Sequence, residues 1–508
     1  MNISRKSLLL ISPIISFCIA LILLYKYSYP ISWDVYYHIH MSQLYLDEGL
    51  IFKDLLTCYP NGRTIMYPPL FHLIIAGISR LTHITIVEVC RLLQPFLSFY
   101  LMGIITYSTY KLTNKVETAF LSGFIAMLCF ATFNRSVITT PATVAIGLSI
   151  IACTFYFTGF RDNNLREIII SAISLGLIWN FHMATAIIAV GVIGLYTIIQ
   201  IIRSKINYRN LIYFILVALV IAIPWWLYIY LNYPMVFNST GNNPMNIFQF
   251  LFAYFGIIPS ILSIIGFYSF YKNKSEMGLF LSIWSLSIIG LSQMTFFGVN
   301  TISIRILEVG AYPLVIIASI GFVYLCSLIN PKFIKILLVL LIFLSILSSI
   351  AYIDSYTPNL LADDDYNNTI LSSNYHKIID PVGSTITPSI ISDRYGSSTL
   401  AHDRYDVTQW FINNNDTSSL LVCEDSIMDT IIVSTSRTPV VYGGFTESIP
   451  DTVIDPVHIV ENHSTTQEIQ DTNMGYLLLD NDTPLPIYAN IEYENSNYKI
   501  CSIKNNYR

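Results

Sequence analysis

The sequence predicts a polytopic α-helical membrane protein that carries a soluble α/β domain at its C-terminal end. Of its 508 residues, 54% are hydrophobic and only 12% are charged, and the mean hydropathy is +0.58. Soluble globular chains carry about 25% charged residues, so this composition excludes an ordinary soluble enzyme. The charges are also unevenly distributed, and this divides the chain into two parts.

The two parts differ in the sign of their net charge. Residues 1–352 contain 20 Lys and Arg against 10 Asp and Glu, whereas residues 353–508 contain 7 against 22. We therefore predict a transmembrane domain over 1–352 and a separate acidic domain over 353–508. The acidic part has no basic cluster, which argues against nucleic acid as a partner.

Apolar runs predict about eleven spans, because a helix needs roughly 20 apolar residues to cross the hydrocarbon core. The shorter apolar stretch Leu70–Leu81 is predicted to be a helix at the membrane interface, within a large first external loop over 27–91. The predicted spans are 7–26, 92–110, 117–133, 139–159, 168–181, 183–202, 211–231, 248–271, 278–298, 306–329 and 333–352.

Basic residues predict the orientation of these spans, since cytoplasmic loops carry an excess of Lys and Arg. Six alternate loops carry most of the positive charge, and the short loops between them carry almost none. This pattern predicts a cytoplasmic N-terminus and an extracytoplasmic C-terminal domain. The basic residues of the six loops are Arg5, Lys6, Lys111, Lys115, Arg161, Arg166, Arg203, Lys205, Arg209, Lys272, Lys274, Lys332 and Lys335.

Short patterns in the acidic part predict a small mixed α/β domain. Leu420–Cys423 and Ile431–Val433 are typical of short buried strands, Asp406–Asn413 is typical of a helix, and Gly443 and Gly444 indicate a turn. Cys423 and Cys501 are the two cysteines of this part, and spacing alone does not decide whether they pair.

The first external loop opens with the sequence SWDVYYHIH, which places Asp34 at the membrane–water boundary. A carboxylate there can bind a divalent cation or polarise an acceptor nucleophile. The alternative is that Asp34 caps the following helix while Trp33 and its tyrosine neighbours form an interfacial aromatic belt. His38 and His40 are two residues apart, a poor helical spacing for metal ligands, so we expect them to form hydrogen bonds.

The rest of this loop and the spans after it resemble the catalytic subunit of oligosaccharyltransferase, a GT-C fold enzyme that moves a glycan from a polyprenyl (dolichyl) carrier to Asn. The resemblance is clear over about 30–200 and extends over 200–352 in helical layout only. The residues that match family motifs are Tyr59, Pro60, Gly62, Arg63, Tyr67, Pro68, the stretch His83–Ile86, Val89, Cys90 and Arg135–Val137.

The resemblance implies that Asp34 is a metal ligand that also contacts the acceptor, with Mg²⁺ or Mn²⁺ as the cation. The sequence departs from the family at three motifs, one of which, the Glu-bearing motif of the last large external loop, is missing because the last two external loops are short here. Ala142 and Val144 stand where a second acidic motif supplies further ligands, and Ser392–Gly396 is the nearest string to the WWDYG signature. A lone carboxylate binds such a cation weakly. This chain is therefore identified as a divergent paralogue. It is also similar to GT-C enzymes that use polyprenyl-phosphate monosaccharides with a single acidic residue.

Four basic residues are candidates for binding the carrier phosphate. Arg305 opens the tenth span on the external side, where a guanidinium can bind a phosphate bidentately. Arg63, Arg135 and His182 are further external candidates. The alternatives are an internal ion pair between Arg305 and Glu308, and an ordinary hydrogen-bonded loop histidine at 182.

These features predict a membrane glycosyltransferase that moves a sugar or glycan from a polyprenyl phosphate carrier to an acceptor on the external face. The acceptor implied by the resemblance is a protein, and membrane lipids are the other expected partners. The alternative is a catalytically inactive scaffold or lipid-binding component of glycan assembly that keeps the fold. A transporter is disfavoured because the sequence has neither an inverted repeat nor paired interrupted helices.

Overall fold

A computed structural model of the chain describes residues 5–233, 244–299, 301–354, 361, 398–414, 417–443, 466–504 and 506–507. Its larger part is a bundle of apolar helices. In the described ranges up to residue 354, the helices are α1 (Ile11–Lys26), α2 (Asp34–Glu48), α3 (Leu70–Thr82), α4 (Ile86–Thr113), α5 (Val116–Leu128), α6 (Phe130–Ser136), α7 (Pro141–Arg161), α8 (Leu165–Phe181), α9 (Met183–Ile202), α10 (Tyr208–Asn232), α11 (Ile247–Gln249), α12 (Ile257–Asn273), α13 (Glu276–Ser292), α14 (Ser303–Ser327) and α15 (Pro331–Asp354).

Eight helical segments of the described chain are long and apolar enough to cross a membrane, and two bent pairs raise the number to ten. The first pair, α5 and α6, bends by 85° at Cys129, whose backbone is extended. The second pair is formed by the helical segment Ile247–Phe255, which begins with α11, and by α12. It bends by 119° at Gly256, where φ is +95°, a conformation that glycine adopts without strain. The predicted span 168–181 corresponds to α8, which has only 17 residues.

Residues 27–91, predicted to be the first external loop and called by that name below, fold into a compact unit at one end of the bundle. Helix α2 packs against α3, and a two-residue antiparallel ladder joins β1 (Lys53–Asp54) to β2 (Arg63–Thr64). The predicted interfacial stretch Leu70–Leu81 is indeed helical, as α3. Its apolar side is divided between buried residues such as Phe71 and Ile75 and exposed ones such as Leu73.

The C-terminal part contains a four-stranded mixed sheet and three helices in its described residues. The strand order is β3-β4-β6-β5, with β3 parallel to β4 and the other pairs antiparallel. The elements are α16 (Ser398–Asn414), β3 (Leu420–Cys423), α17 (Ser426–Ser436), α18 (Thr466–Asp471), β4 (Met474–Asp480), β5 (Ala489–Glu494) and β6 (Tyr498–Ile503). The predicted strand Leu420–Cys423 and the predicted helix Asp406–Asn413 are both present.

The predicted strand Ile431–Val433 is wrong, because these residues lie in α17. Asp425 starts this helix by accepting hydrogen bonds from the backbone N–H groups of Ile427 and Met428. A short apolar run fits a buried strand and a buried helix equally well. Gly443 has a φ of +70°, as a turn requires, and Gly444 lies outside the described residues. Cys423 and Cys501 are free thiols on β3 and β6, and β4 lies between those strands.

The C-terminal part is joined to the first external loop by packing and by backbone hydrogen bonds. Helix α17 packs against α2. The backbone N–H of Val440 donates to the Leu56 carbonyl at 2.8 Å, and the N–H of Tyr59 donates to the Val440 carbonyl at 3.3 Å. Arg437 pairs with Asp47 at 3.1 Å. The C-terminal part therefore contacts the same helix whose first residue is Asp34.

Candidate functional site

Asp34 and Arg305 are in direct contact, although 271 residues separate them in sequence. Asp34 is the first residue of α2 and Arg305 lies in the first turn of α14, and a guanidinium N–H of Arg305 donates to Asp34 Oδ2 at 2.7 Å. The other carboxylate oxygen, Oδ1, is buried without a hydrogen-bond partner. The Arg305 side chain is 44% exposed, whereas that of Asp34 is 9% exposed. The pair therefore has a free carboxylate oxygen inside and an accessible guanidinium outside.

Glu308 pairs with Arg135, so the expected alternative of an Arg305–Glu308 ion pair is not observed. The break between α5 and α6 turns α6 across the bundle, and Arg135 near its end reaches Glu308 on α14 at 2.5 Å. Both side chains are nearly fully buried. Arg135 Nη2 makes this contact, while its Nε and Nη1 are buried without partners. Buried donors normally have partners, so these two nitrogens are free to bind an anion.

His182 lies at the break between α8 and α9, close to both ion pairs. Its Nδ1 accepts a hydrogen bond from the backbone N–H of Thr185 at 3.3 Å and so caps α9. Burial and the positive charges of Arg135 and Arg305 lower the pKa of His182 to about 4, while Asp34 acts in the opposite direction. His182 is therefore neutral at pH 7. Because Nδ1 is the acceptor, Nε2 carries the proton.

A cluster of aromatic and histidine side chains that was not predicted to belong to the site lies beside His182. The Tyr67 ring lies 5.2 Å from the His38 ring, 5.6 Å from the His72 ring and 6.5 Å from the His182 ring. His38 Nδ1 and His72 Nε2 share a hydrogen bond of 2.9 Å. The Tyr-Pro-Pro motif directly before α3 was the available signal, since it places Tyr67 five residues before His72 at the start of that helix.

The expectation that His38 and His40 form hydrogen bonds is confirmed. His40 Nε2 hydrogen bonds with Asp54 Oδ2 at 2.8 Å. Burial would raise the pKa of Asp54, but His40 and Arg63 together hold it below its usual range. Burial also lowers the pKa of His72, to about 3. The interior of the first external loop is thus a polar network around one ionised carboxylate.

Arg63 lies away from the contact between Asp34 and Arg305. Its guanidinium donates to the Gly443 carbonyl at 2.6 Å and lies over the Tyr37 ring, 5.2 Å from the centroid. The side chain is buried, with 3% of its surface exposed. In this position Arg63 connects the first external loop to the C-terminal part. Of the five candidates, the structure therefore brings together Asp34, Arg305, Arg135 and His182.

Among the described residues, the carboxylates around Asp34 are paired with arginines and are not grouped as ligands of a Mg²⁺ or Mn²⁺ ion. Such ions take several oxygen ligands, and Asp34 Oδ2 already accepts from a guanidinium. The nearest acidic side chain on α14, Glu308, is paired with Arg135. Within the described residues, no three His, Cys, Asp or Glu side chains are grouped to hold a metal ion. Ser392–Gly396, the string nearest to the WWDYG signature, lies outside those residues.

One known protein family matches part of the chain. Residues 66–228 match the family described as dolichyl-phosphate-mannose-protein mannosyltransferase. This segment contains α3 to α9 and most of α10, and with them Arg135 and His182. No curated protein sequence matches the chain.

The structure is similar to several solved structures of transferases. ArnT from Cupriavidus metallidurans bound to undecaprenyl phosphate has a TM-score of 0.62 at 12% identity, over 97% of this chain and 98% of ArnT. The Archaeoglobus fulgidus oligosaccharyltransferase in its apo form has a TM-score of 0.59 at 11% identity, over 94% of this chain and 69% of that one. The mycobacterial arabinofuranosyltransferase AftD has a TM-score of 0.57 at 11% identity, over 99% of this chain and 42% of that one. The chain is therefore an integral membrane protein with the GT-C glycosyltransferase fold.

Proposed function

We propose that this protein is a glycosyltransferase that takes a sugar from a polyprenyl phosphate carrier and transfers it to an acceptor at the extracytoplasmic face. The observation that carries this proposal is the contact of Asp34 with Arg305 next to the two unpartnered guanidinium nitrogens of Arg135. A free carboxylate oxygen and free cationic donors at one site suit a reaction that joins an acceptor nucleophile to a phosphate-linked sugar.

Two roles follow for the cations. Arg305 uses one N–H on Asp34, and its exposed remaining donors bind a phosphate oxygen. Arg135 is held by Glu308 and offers Nε and Nη1 to a second oxygen. His182 stays neutral and donates from Nε2. Together these donors stabilise the charge that develops on the phosphate as the bond between the sugar carbon and the phosphate oxygen breaks.

Asp34 acts on the acceptor. Its free Oδ1 accepts the proton of the acceptor nucleophile as the new bond to the sugar carbon forms. The leaving polyprenyl phosphate keeps the electron pair of the broken bond. We propose that this reaction needs no divalent cation, because two arginines supply the positive charge that a metal would otherwise provide.

The similar solved structures and the matched sequence family support a polyprenyl phosphate carrier as the sugar donor. ArnT was crystallised with undecaprenyl phosphate, the Archaeoglobus fulgidus oligosaccharyltransferase AglB was solved with a dolichol phosphate, and the matched family is described by a dolichyl-phosphate-mannose donor. By analogy we propose a polyprenyl-phosphate monosaccharide as the donor. A protein acceptor, and the oligosaccharyltransferase-like subtype, stay predictions of the sequence resemblance.

The proposal is tested by transfer in isolated membranes. Membranes containing the protein are given radiolabelled mannose on polyprenyl phosphate, and label is followed into endogenous acceptors. Asp34→Asn is expected to reduce transfer at least about 100-fold, the usual contribution of a positioned base. Glu48→Gln, at the other end of the same helix and exposed, is the matched control and is expected to transfer normally.

The same assay separates the enzyme from an inactive scaffold. A scaffold would bind polyprenyl phosphate without transferring sugar from any donor, and its Asp34→Asn variant would be indistinguishable from the wild type. Wild-type transfer that Asp34→Asn leaves unchanged would remove Asp34 from the reaction.

A further inference from the structure

A cavity of about 220 Å³ lies at the opposite end of the bundle from Asp34. Its lining comes from the last turns of α7 and α9, the loop before α10 and the start of α13. Gln200, one of its lining residues, follows His182 by 18 residues along α9. At 1.5 Å per helical residue, the two are roughly 27 Å apart. The cavity is thus separated from the candidate active site by about one hydrocarbon thickness.

An unsatisfied donor lines this cavity. Gln200 is 8% exposed, and its side-chain Nε2 has no hydrogen-bond partner. Buried polar atoms nearly always have partners. A buried amide donor at the wall of a cavity therefore indicates a ligand that brings an acceptor oxygen.

The rim of the cavity carries an excess of positive charge. Lys205 pairs with Glu276, and Arg203 lies 3.9 Å from the same carboxylate. Arg161 pairs with the neighbouring Asp162 at 2.7 Å. Of these groups, Arg161, Lys205 and Glu276 line the cavity itself, so its lining carries two cations against one carboxylate. Lys205 and Glu276 are about half exposed, so an incoming anion can reach them without unfolding the loop.

Aromatic side chains form the inner walls. Tyr156 and Tyr196 are buried beside each other, with ring centroids 6.4 Å apart, and the Tyr156 hydroxyl hydrogen bonds with Thr197 at 2.6 Å. Aromatic walls below a charged rim are typical of the zone between the hydrocarbon core and the lipid head groups. The cavity is therefore placed to receive a group that is tethered in the membrane.

We propose that this cavity binds the phosphate group of a membrane lipid. The Gln200 amide donates to one phosphate oxygen, and Lys205 supplies the compensating charge while Glu276 remains paired with Arg203. The charge pattern of the sequence places this end of the bundle on the cytoplasmic side, so the lipid comes from the cytoplasmic leaflet. The inference is independent of the function proposed for the Asp34 site, because the two sites share no residue.

The test uses the purified full-length protein in detergent micelles, and it measures lipid affinity by native mass spectrometry. The probes are phosphatidic acid, whose phosphate is a monoester, phosphatidylcholine, which has no net charge, and inorganic phosphate. The variants are Gln200→Leu, which removes the free donor at similar volume, and Lys205→Met. Lys335→Met is the control, because Lys335 is exposed at the predicted cytoplasmic start of α15 and does not line the cavity.

We expect phosphatidic acid to bind at least tenfold more tightly than phosphatidylcholine. Gln200→Leu and Lys205→Met are each expected to weaken phosphatidic acid about tenfold, as loss of a hydrogen bond to a charged group does, and Lys335→Met is expected to have no effect. Inorganic phosphate that competes fully at equal concentration would overturn the assignment to a lipid. Equal affinity for both lipids, or equal affinity in wild type and Gln200→Leu, would overturn the phosphate site itself. Gln200→Leu touches no ion pair, so the test does not depend on the stability of Lys205→Met.

Discussion

Replacing Glu308 with Gln should destabilise the protein strongly, because it leaves the Arg135 guanidinium buried without a counter-charge. The Arg135 and Glu308 side chains are only 3% and 7% exposed, so water cannot take over the role of the lost carboxylate. Breaking a buried ion pair from one side costs about 3–5 kcal/mol. We therefore expect Glu308→Gln to lower the free energy of unfolding by about 3 kcal/mol.

The double variant Arg135→Met, Glu308→Leu separates structure from function. Replacing both partners of a buried pair by apolar side chains of similar size is often neutral, so the double variant should recover most of the stability that Glu308→Gln loses. It should not recover polyprenyl phosphate binding, because Arg135 Nε and Nη1 are gone. Stability is measured by unfolding in mixed micelles with increasing sodium dodecyl sulfate, and binding by titration with undecaprenyl phosphate.

Two results would refute this reasoning. A loss of stability below about 1 kcal/mol in Glu308→Gln would mean that the pair is hydrated or rearranged. Wild-type affinity for undecaprenyl phosphate in the double variant would mean that Arg135 is a structural cation only. The Asp34–Arg305 pair provides the comparison, because its arginine is 44% exposed whereas its carboxylate is only 9% exposed. Arg305→Met should weaken binding and, because it leaves Asp34 without its counter-charge, should also lower stability.

Two further predictions concern the first external loop. Arg63→Met should increase proteolysis of this loop in a limited-digestion time course, because it removes the hydrogen bond to the Gly443 carbonyl. The affinity for undecaprenyl phosphate, measured by titration in parallel, should be unchanged. A variant that resists the protease but binds undecaprenyl phosphate more weakly would contradict this prediction. The stability that depends on neutral His72 is fully present above pH 6.5 and is lost as the pH falls toward 3, by at most about 1.4 kcal/mol per pH unit. His72→Gln should therefore flatten the decline of unfolding free energy between pH 6.5 and pH 4, and an unchanged slope would contradict it.

Much of the helical layout follows from the sequence, because membrane spans have a strong compositional signal. Ten of the eleven predicted spans match the eight long helices and the two bent pairs, and the eleventh, 168–181, is the shorter α8. The stretch Leu70–Leu81, predicted to be interfacial, forms α3. The bends themselves were not predicted. Cys129 and Gly256 give only a weak local signal, and the direction of a bend depends on the helices packed around it.

The sequence predicted the two residues of the main contact in the candidate site, but it did not predict the partner of Glu308 or the position of Arg63. Asp34 and Arg305 were both placed at the external ends of helices, and the structure joins them. The partner of Glu308 was not predictable, because Arg305 lies one turn away on the same helix whereas Arg135 is 173 residues away. Arg63 was expected near the phosphate, and its position under the C-terminal part depends on tertiary packing that no local pattern encodes.

The most direct test of the central claim is the single-turnover rate of sugar transfer by Asp34→Asn at saturating polyprenyl-phosphate donor. Saturation removes any effect on donor binding, so the rate reports the transfer step alone. The account predicts a rate at least about 100-fold below that of the wild type, with the donor affinity changed little. A rate within about threefold of the wild type, or a defect that disappears as donor is raised, would contradict the role assigned to Asp34.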